Sequence, residues 1–191
     1  MNLRTALLII FVFAVLLPAR GFTDGQKVQV EANKCVYFGF STGIQMSGIK
    51  KEDFIANNYS PLITLYAGKW FTPLLALQLG YRGNYFNTIS HERKRYYKYF
   101  SGEAVFNLNN LFIPQYKDQS LHVLLHSGSG YFYNYDYNRP SICAHLGTTA
   151  TYRITGKLRA TFNISSIFGW DIYQGDEDIL PGTSFGFSYS F

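Results

Sequence analysis

The C-terminal stretch Thr183-Ser184-Phe185-Gly186-Phe187-Ser188-Tyr189-Ser190-Phe191 decides how the rest of the chain reads. Aromatic residues stand at 185, 187, 189 and 191, whereas Ser, Gly, Ser and Ser stand at 184, 186, 188 and 190. Only an extended strand sorts a strict period of two onto two faces, so the segment predicts a β-strand with one oily and one small, polar face.

Composition agrees. The 191 residues include 18% aromatics and 17 Gly but only 15% charged residues, a β-rich balance expected of one domain. A mean hydropathy of -0.05 leaves no room for a bundle of membrane helices. The formal charge of +5 falls to +3 without Arg4 and Arg20 (5 − 2 = 3), too weak and scattered for a nucleic-acid partner.

Residues 1–21 read as a signal peptide. Arg4 precedes the apolar run from Ala6 to Leu17, and Ala19 and Gly21 supply small residues at the −3 and −1 positions of a cleavage site. The first cysteine is Cys35, too distant for a lipid anchor. The polar segment 22–33 is expected in the periplasm, ahead of a β domain over 34–191. No later stretch is apolar enough for a membrane helix, so residence in a membrane requires a closed barrel.

Alternation predicts eight strands, over 34–44, 62–70, 75–85, 97–106, 121–133, 142–153, 158–165 and 183–191. The third is clearest. Leu75, Leu77, Leu79 and Tyr81 alternate with Ala76, Gln78, Gly80 and Arg82 over a length that crosses a bilayer. The second is apolar on both faces, and its phase stays open. Short connectors at 71–73 and 155–157 are expected to turn on Pro73 and on Gly156 at positive φ, and longer ones lie at 46–60, 87–95 and 166–181. Short turns inside and long loops outside would place both termini in the periplasm. Connector 107–119 breaks that rule. Lipid-facing aromatics are expected in two girdles, Tyr81, Tyr85, Tyr131 and Tyr133 at one end and Trp70, Tyr152 and Phe191 at the other.

The terminal pattern polar-x-Gly-x-x-aromatic-x-aromatic, carried by Ser184, Gly186, Tyr189 and Phe191, resembles the last strand of bacterial outer-membrane β-barrels. That resemblance implies an all-β, eight-stranded antiparallel up-and-down transmembrane barrel, with these four residues read by the barrel-assembly machinery during biogenesis. With the run Asn107-Leu108-Asn109-Asn110-Leu111-Phe112, the chain resembles the small porin-family or PorT-like barrels of Bacteroidetes, and OmpX-like or OmpA-like barrels. The implied setting is outer-membrane lipid and lipopolysaccharide, as a monomer. A secreted lipocalin-like barrel or sandwich fits less well, because bulky side chains would have to fill its inside, where Gly, Ser and Thr crowd.

The lumen is expected to be plugged by Gln78, Arg82, Glu103, His122, His126, His145, Thr149, Thr151, Arg159, Thr161 and Asn163, with Arg82 and Glu103 paired as neighbouring lumen charges. The three lumen histidines could ligate a metal or act as a base, but satisfied polar residues are the favoured reading. His126 with Ser127 and Ser129 resembles the His and Ser pair of lipid A deacylases, but adjacent residues point to opposite faces. Loop charges, Arg93, Lys94 and Arg95 against Asp171, Asp176, Glu177 and Asp178, read as solvated, with calcium or lipopolysaccharide phosphate as lesser options. Cys35 and Cys143 are expected at opposite ends and unbridged. No catalytic residue, cofactor or metal is assigned. The expected role is a non-enzymatic, non-conducting scaffold or surface-interaction protein, the alternatives being a lipid A modifying enzyme and an accessory of a secretion or gliding machinery.

Overall fold

The computed structural model describes residues 35–47, 59–87, 94–112, 120–135, 138–170, 172 and 177–191. The leader, the segment 22–33 and the loop charges at 93, 171 and 176 lie outside them. Eight strands are present: β1 (Val36–Met46), β2 (Tyr59–Trp70), β3 (Leu75–Asn87), β4 (Lys94–Asn107), β5 (Leu121–Asn134), β6 (Arg139–Arg153), β7 (Leu158–Trp170) and β8 (Glu177–Ser190). A short helix α1 (Leu108–Phe112) follows β4. Each strand pairs antiparallel with its sequence neighbour, and β8 closes on β1 with Phe40 opposite Phe187 and Ser41 opposite Gly186. The result is a closed up-and-down barrel without a free sheet edge.

The period of two becomes an inside-out burial pattern. In β1, Val36, Phe38, Phe40 and Ile44 are exposed while Tyr37, Gly39, Ser41 and Gln45 are buried. The outer surface carries a continuous set of large apolar side chains, among them Leu77, Leu79, Phe100, Ile142, Phe162 and Phe185. Aromatic and lysine side chains gather at its two ends. Lys98 lies over Tyr133 and Tyr135 near the long connectors, and Lys157 lies over Tyr189 near the short turns. Amphipathic rings and lysine stems suit a boundary between apolar and wet surroundings.

Strands run further toward the long connectors than periodicity predicts. The expected loop 166–181 is largely β7 and β8, paired as far as Trp170 opposite Glu177. The phase of β2 is now fixed. Leu62, Thr64, Tyr66 and Trp70 turn inward, and Ile63, Leu65 and Lys69 outward. Trp70 therefore leaves the expected girdle and packs inside against Tyr37, with ring centroids 6.2 Å apart. Two cross-strand exchanges make room there. Tyr66 lies over Gly39 and Tyr37 over Gly68, each pair directly opposite in register, so a Cβ on either glycine would overlap a tyrosine ring.

Both tight turns rest on threonine. Thr72 Oγ1 accepts the amides of Leu74 at 3.3 Å and Leu75 at 2.9 Å, and Thr155 Oγ1 accepts that of Leu158 at 3.1 Å. Gly156 does not take the positive φ expected of it. The asparagine run has a structural use as well. Asn109 donates to Leu121 O at 3.0 Å and accepts from the Val123 amide at 2.7 Å, while Asn110 donates to Pro73 O at 2.6 Å. These bonds pin α1 across the turn end of the barrel, satisfying backbone groups that would otherwise stand unpaired.

Candidate functional site

The lumen divides into two halves of different chemistry. Toward the long connectors, Tyr97, Tyr99, Phe132, Cys143, Ile167, Ile172 and Leu180 form one buried cluster, with Phe132, Ile167 and Leu180 fully inaccessible. Tyr97 stacks on Phe132 with centroids 4.9 Å apart and donates its hydroxyl to Gln45 Oε1 at 2.6 Å. Asn134 ties the cluster to Ile172 O at 2.9 Å, and Asp178 accepts the Ile172 amide at 2.8 Å. Asp178 is thus buried at 3% exposure and is not a solvated loop charge.

Below this plug lies a cavity of about 280 Å³, running from the turn residues Pro73 and Gly156 up to Arg82 and Ser165. All eleven residues expected to fill the lumen line it instead. The plug is made by others. Sequence periodicity missed them because Tyr97, Tyr99 and Phe132 sit in strands aromatic on both faces, and Ile167 and Leu180 fall where the pattern reads as loop.

At the inner end of the cavity, β4, β5 and β6 bring Glu103, His126 and His145 together. Strand register explains the meeting: Glu103 stands opposite Gly128 on β5, and Gly128 opposite His145 on β6, so glycine leaves the space between them open. His126 Nδ1 lies 2.9 Å from Glu103 Oε2, and His145 Nδ1 lies 2.8 Å from Oε1. With both rings donating, one carboxylate bridges two imidazoles. Ser101 Oγ donates to Oε1 at 2.5 Å and Gln78 Nε2 to Oε2 at 3.2 Å, completing a shell of four donors around a side chain only 5% exposed. Such saturation is what a carboxylate removed from water requires.

The Arg82–Glu103 pair predicted from sequence is not formed. Register sets Glu103 opposite Gln78 and Arg82 opposite Tyr99, nearer the plug. Arg82 donates instead to Ser165 Oγ at 3.3 Å, Gln45 Oε1 at 3.4 Å and Leu180 O at 3.2 Å, all neutral oxygens. His122 stays apart from the other two histidines, near Asn107 Nδ2 at 3.3 Å. Both cysteines are free, Cys35 at the turn end near Phe191 O at 3.3 Å and Cys143 within the plug.

The four residues of the terminal pattern lie on the closing strand. Ser184 and Gly186 face inward, Ser184 Oγ meeting Ser41 Oγ at 3.0 Å, whereas Tyr189 and Phe191 face outward with their rings 5.1 Å apart. His126 and Ser127 point to opposite faces, as alternation requires.

No protein-family model and no curated protein matches the chain. Among solved structures it is similar to the neisserial surface protein NspA, over 82% of this chain and 97% of that one, at 11% identity and a TM-score of 0.57. It is also similar to the outer membrane enzyme PagL, over 79% of this chain and 98% of that one, at 12% identity and a TM-score of 0.51. At such identities the likeness is one of fold, and the fold shared is the closed antiparallel β-barrel.

Proposed function

We propose that the protein is an outer-membrane barrel that holds its long connectors at the cell surface from a rigid, non-conducting, non-enzymatic scaffold. The observation that carries this reading is the pairing of an apolar, aromatic-girdled outer surface with a lumen closed by the Tyr97–Phe132–Leu180 cluster. A water-soluble protein keeps patches of exposed apolar surface small, and a barrel that conducts needs an open bore. In this setting the short turns and both chain termini face the periplasm, the long connectors face outward beside lipopolysaccharide, and the barrel-assembly machinery reads Ser184, Gly186, Tyr189 and Phe191. The protein acts as a monomer, since closure leaves no edge for strand pairing.

The lipid A reading asks for a histidine, a serine and an acid converging on the lipid face. His122, His126 and His145 all face the lumen, so among the described residues that constellation has no histidine. The accessory role suggested by the PorT-like resemblance draws on no particular contact. Outer-membrane fractionation with surface proteolysis tests the scaffold reading: the protein should fractionate with the outer membrane and be cleaved from outside only in its long connectors. Mass spectrometry of lipid A from deletion and overexpression strains should show one unchanged profile, and a profile altered in either strain would replace the scaffold by an enzyme.

A further inference from the structure

We infer that Glu103, His126 and His145 form a binding site for a divalent first-row transition ion such as zinc, entered from the turn end of the barrel through the lumen cavity. One ligand atom from each residue can be chosen so that all lie within 4.8 Å of one another. Two imidazoles and a carboxylate are borderline and hard donors of the kind zinc takes, and three protein ligands leave a position open toward the cavity. The residues sit on three adjacent strands of a closed barrel, so their backbones are fixed before any ion arrives.

The two short N–O contacts, 2.9 Å and 2.8 Å, are slightly tighter than ligand edges around zinc. Bonds of about 2.1 Å set tetrahedral neighbours about 3.4 Å apart. An ion entering between the carboxylate and the rings therefore parts these contacts by about half an ångström, within reach of side-chain rotation. Coordination through Nδ1 moves each ring proton to Nε2, and no proton leaves the site. Asn163 can receive the one from His126. Its Nδ2 lies 2.8 Å from His126 Nε2 and 2.7 Å from Thr149 Oγ1, so turning the amide over presents Oδ1 to both, with Thr149 then donating.

His145 has a second ring nitrogen to account for. It is 8% exposed and lines the cavity, yet its Nε2 has no hydrogen-bond partner. The two ring nitrogens point apart, so Nδ1 alone faces the proposed ion, and the ring proton displaced onto Nε2 requires a water of the cavity as its acceptor. Arg82 does not oppose the ion directly, because its guanidinium is held on Ser165, Gln45 and Leu180. The site depends on the barrel alone, whatever membrane or partner surrounds it.

The test uses untagged full-length protein, refolded in detergent, with zinc or cobalt(II) supplied both during and after refolding. The expected result is one tightly held ion per barrel by elemental analysis and calorimetry, with a cobalt spectrum of nitrogen and oxygen ligation and no thiolate band. Glu103→Gln, His126→Asn and His145→Asn should each weaken binding at least about tenfold, while His122→Ala should not. Glu103→Gln keeps the shape of the site and the hydrogen bonds to one of its two oxygens, and a heat-modifiable gel shift certifies folding in every variant. Absence of bound metal in the wild-type barrel, or equal binding in folded Glu103→Gln, His126→Asn and His145→Asn proteins, overturns the assignment.

Discussion

Leu77 and Gln78 are neighbours in sequence that meet different surroundings. Leu77 is 54% exposed on the outer surface, whereas Gln78 accepts from the Tyr37 hydroxyl at 3.0 Å and donates to Glu103. In a membrane, Leu77→Arg should cost part of the about 2–4 kcal/mol of an arginine at the midplane, because Leu77 is the third residue of β3 and stands opposite Lys69, while Gln78→Arg places its guanidinium beside a carboxylate in the lumen. Heat-modifiable folded protein should fall for the first variant and persist for the second. Equal loss in both would sink the membrane reading of this face. The cysteines differ in the same way. Cys143 is 1% exposed and Cys35 only partly covered, so a maleimide should add once to the folded barrel and twice after denaturation. Glu103→Leu removes the acceptor shared by His126, His145 and Ser101, and should cost about 3–5 kcal/mol where the site is dry. Replacing Glu103, His126 and His145 together by apolar residues should be milder, because no donor is then stranded; urea unfolding in detergent measures both.

Single elements show which parts of the fold the sequence reveals and which it hides. The outward stripe of β3 was legible because each apolar residue alternates with a polar or small one, so burial and period carry the same message. β2 was not, since Leu62, Tyr66 and Trp70 turn inward while Ile63 and Leu65 turn outward, and hydropathy cannot separate two apolar faces. The aromatic part of the plug was hidden for the same reason, and Ile167 and Leu180 were hidden because their stretches read as loop. The histidines were legible as inward, but their grouping with Glu103 depends on the stagger between β4, β5 and β6, which no single strand encodes. Arg82 and Glu103, expected to pair as neighbouring lumen charges, proved to be out of register by two inward positions. The asparagine run shows a signal whose use emerges only in three dimensions. Asn109 makes two backbone hydrogen bonds across to β5, so Asn109→Ala should cost about 1–3 kcal/mol and lower the urea midpoint of the barrel, while leaving the gel shift of the folded form intact. An unchanged midpoint would mean that the helix α1 contributes nothing to barrel stability.

At the scale of the molecule, the described residues of the barrel form a cup closed near the long connectors. Eight strands enclose a bore just wide enough for side chains to fill, and here the filling is uneven. Tyr97, Phe132, Ile167 and Leu180 close the end near the long connectors, whereas the polar residues below them surround the 280 Å³ cavity. Ions could enter that cavity from the turn end, yet passage through the plug would strip their water among apolar side chains, and the charges beside it, Asp178 and Arg82, are already engaged with Ile172 and with Ser165, Gln45 and Leu180. Purified protein in planar bilayers should therefore give no stable unitary current. Current alone does not locate the barrier, so position is read separately in a background with Cys35→Ser and Cys143→Ala. Thr149→Cys, on the cavity wall, should react with a small water-soluble maleimide in the folded barrel, and Ile167→Cys, in the plug, should not. Labelling of Ile167→Cys as fast as Thr149→Cys, or reproducible channel openings, would mean that water runs the full length of the lumen and that the barrel is a pore.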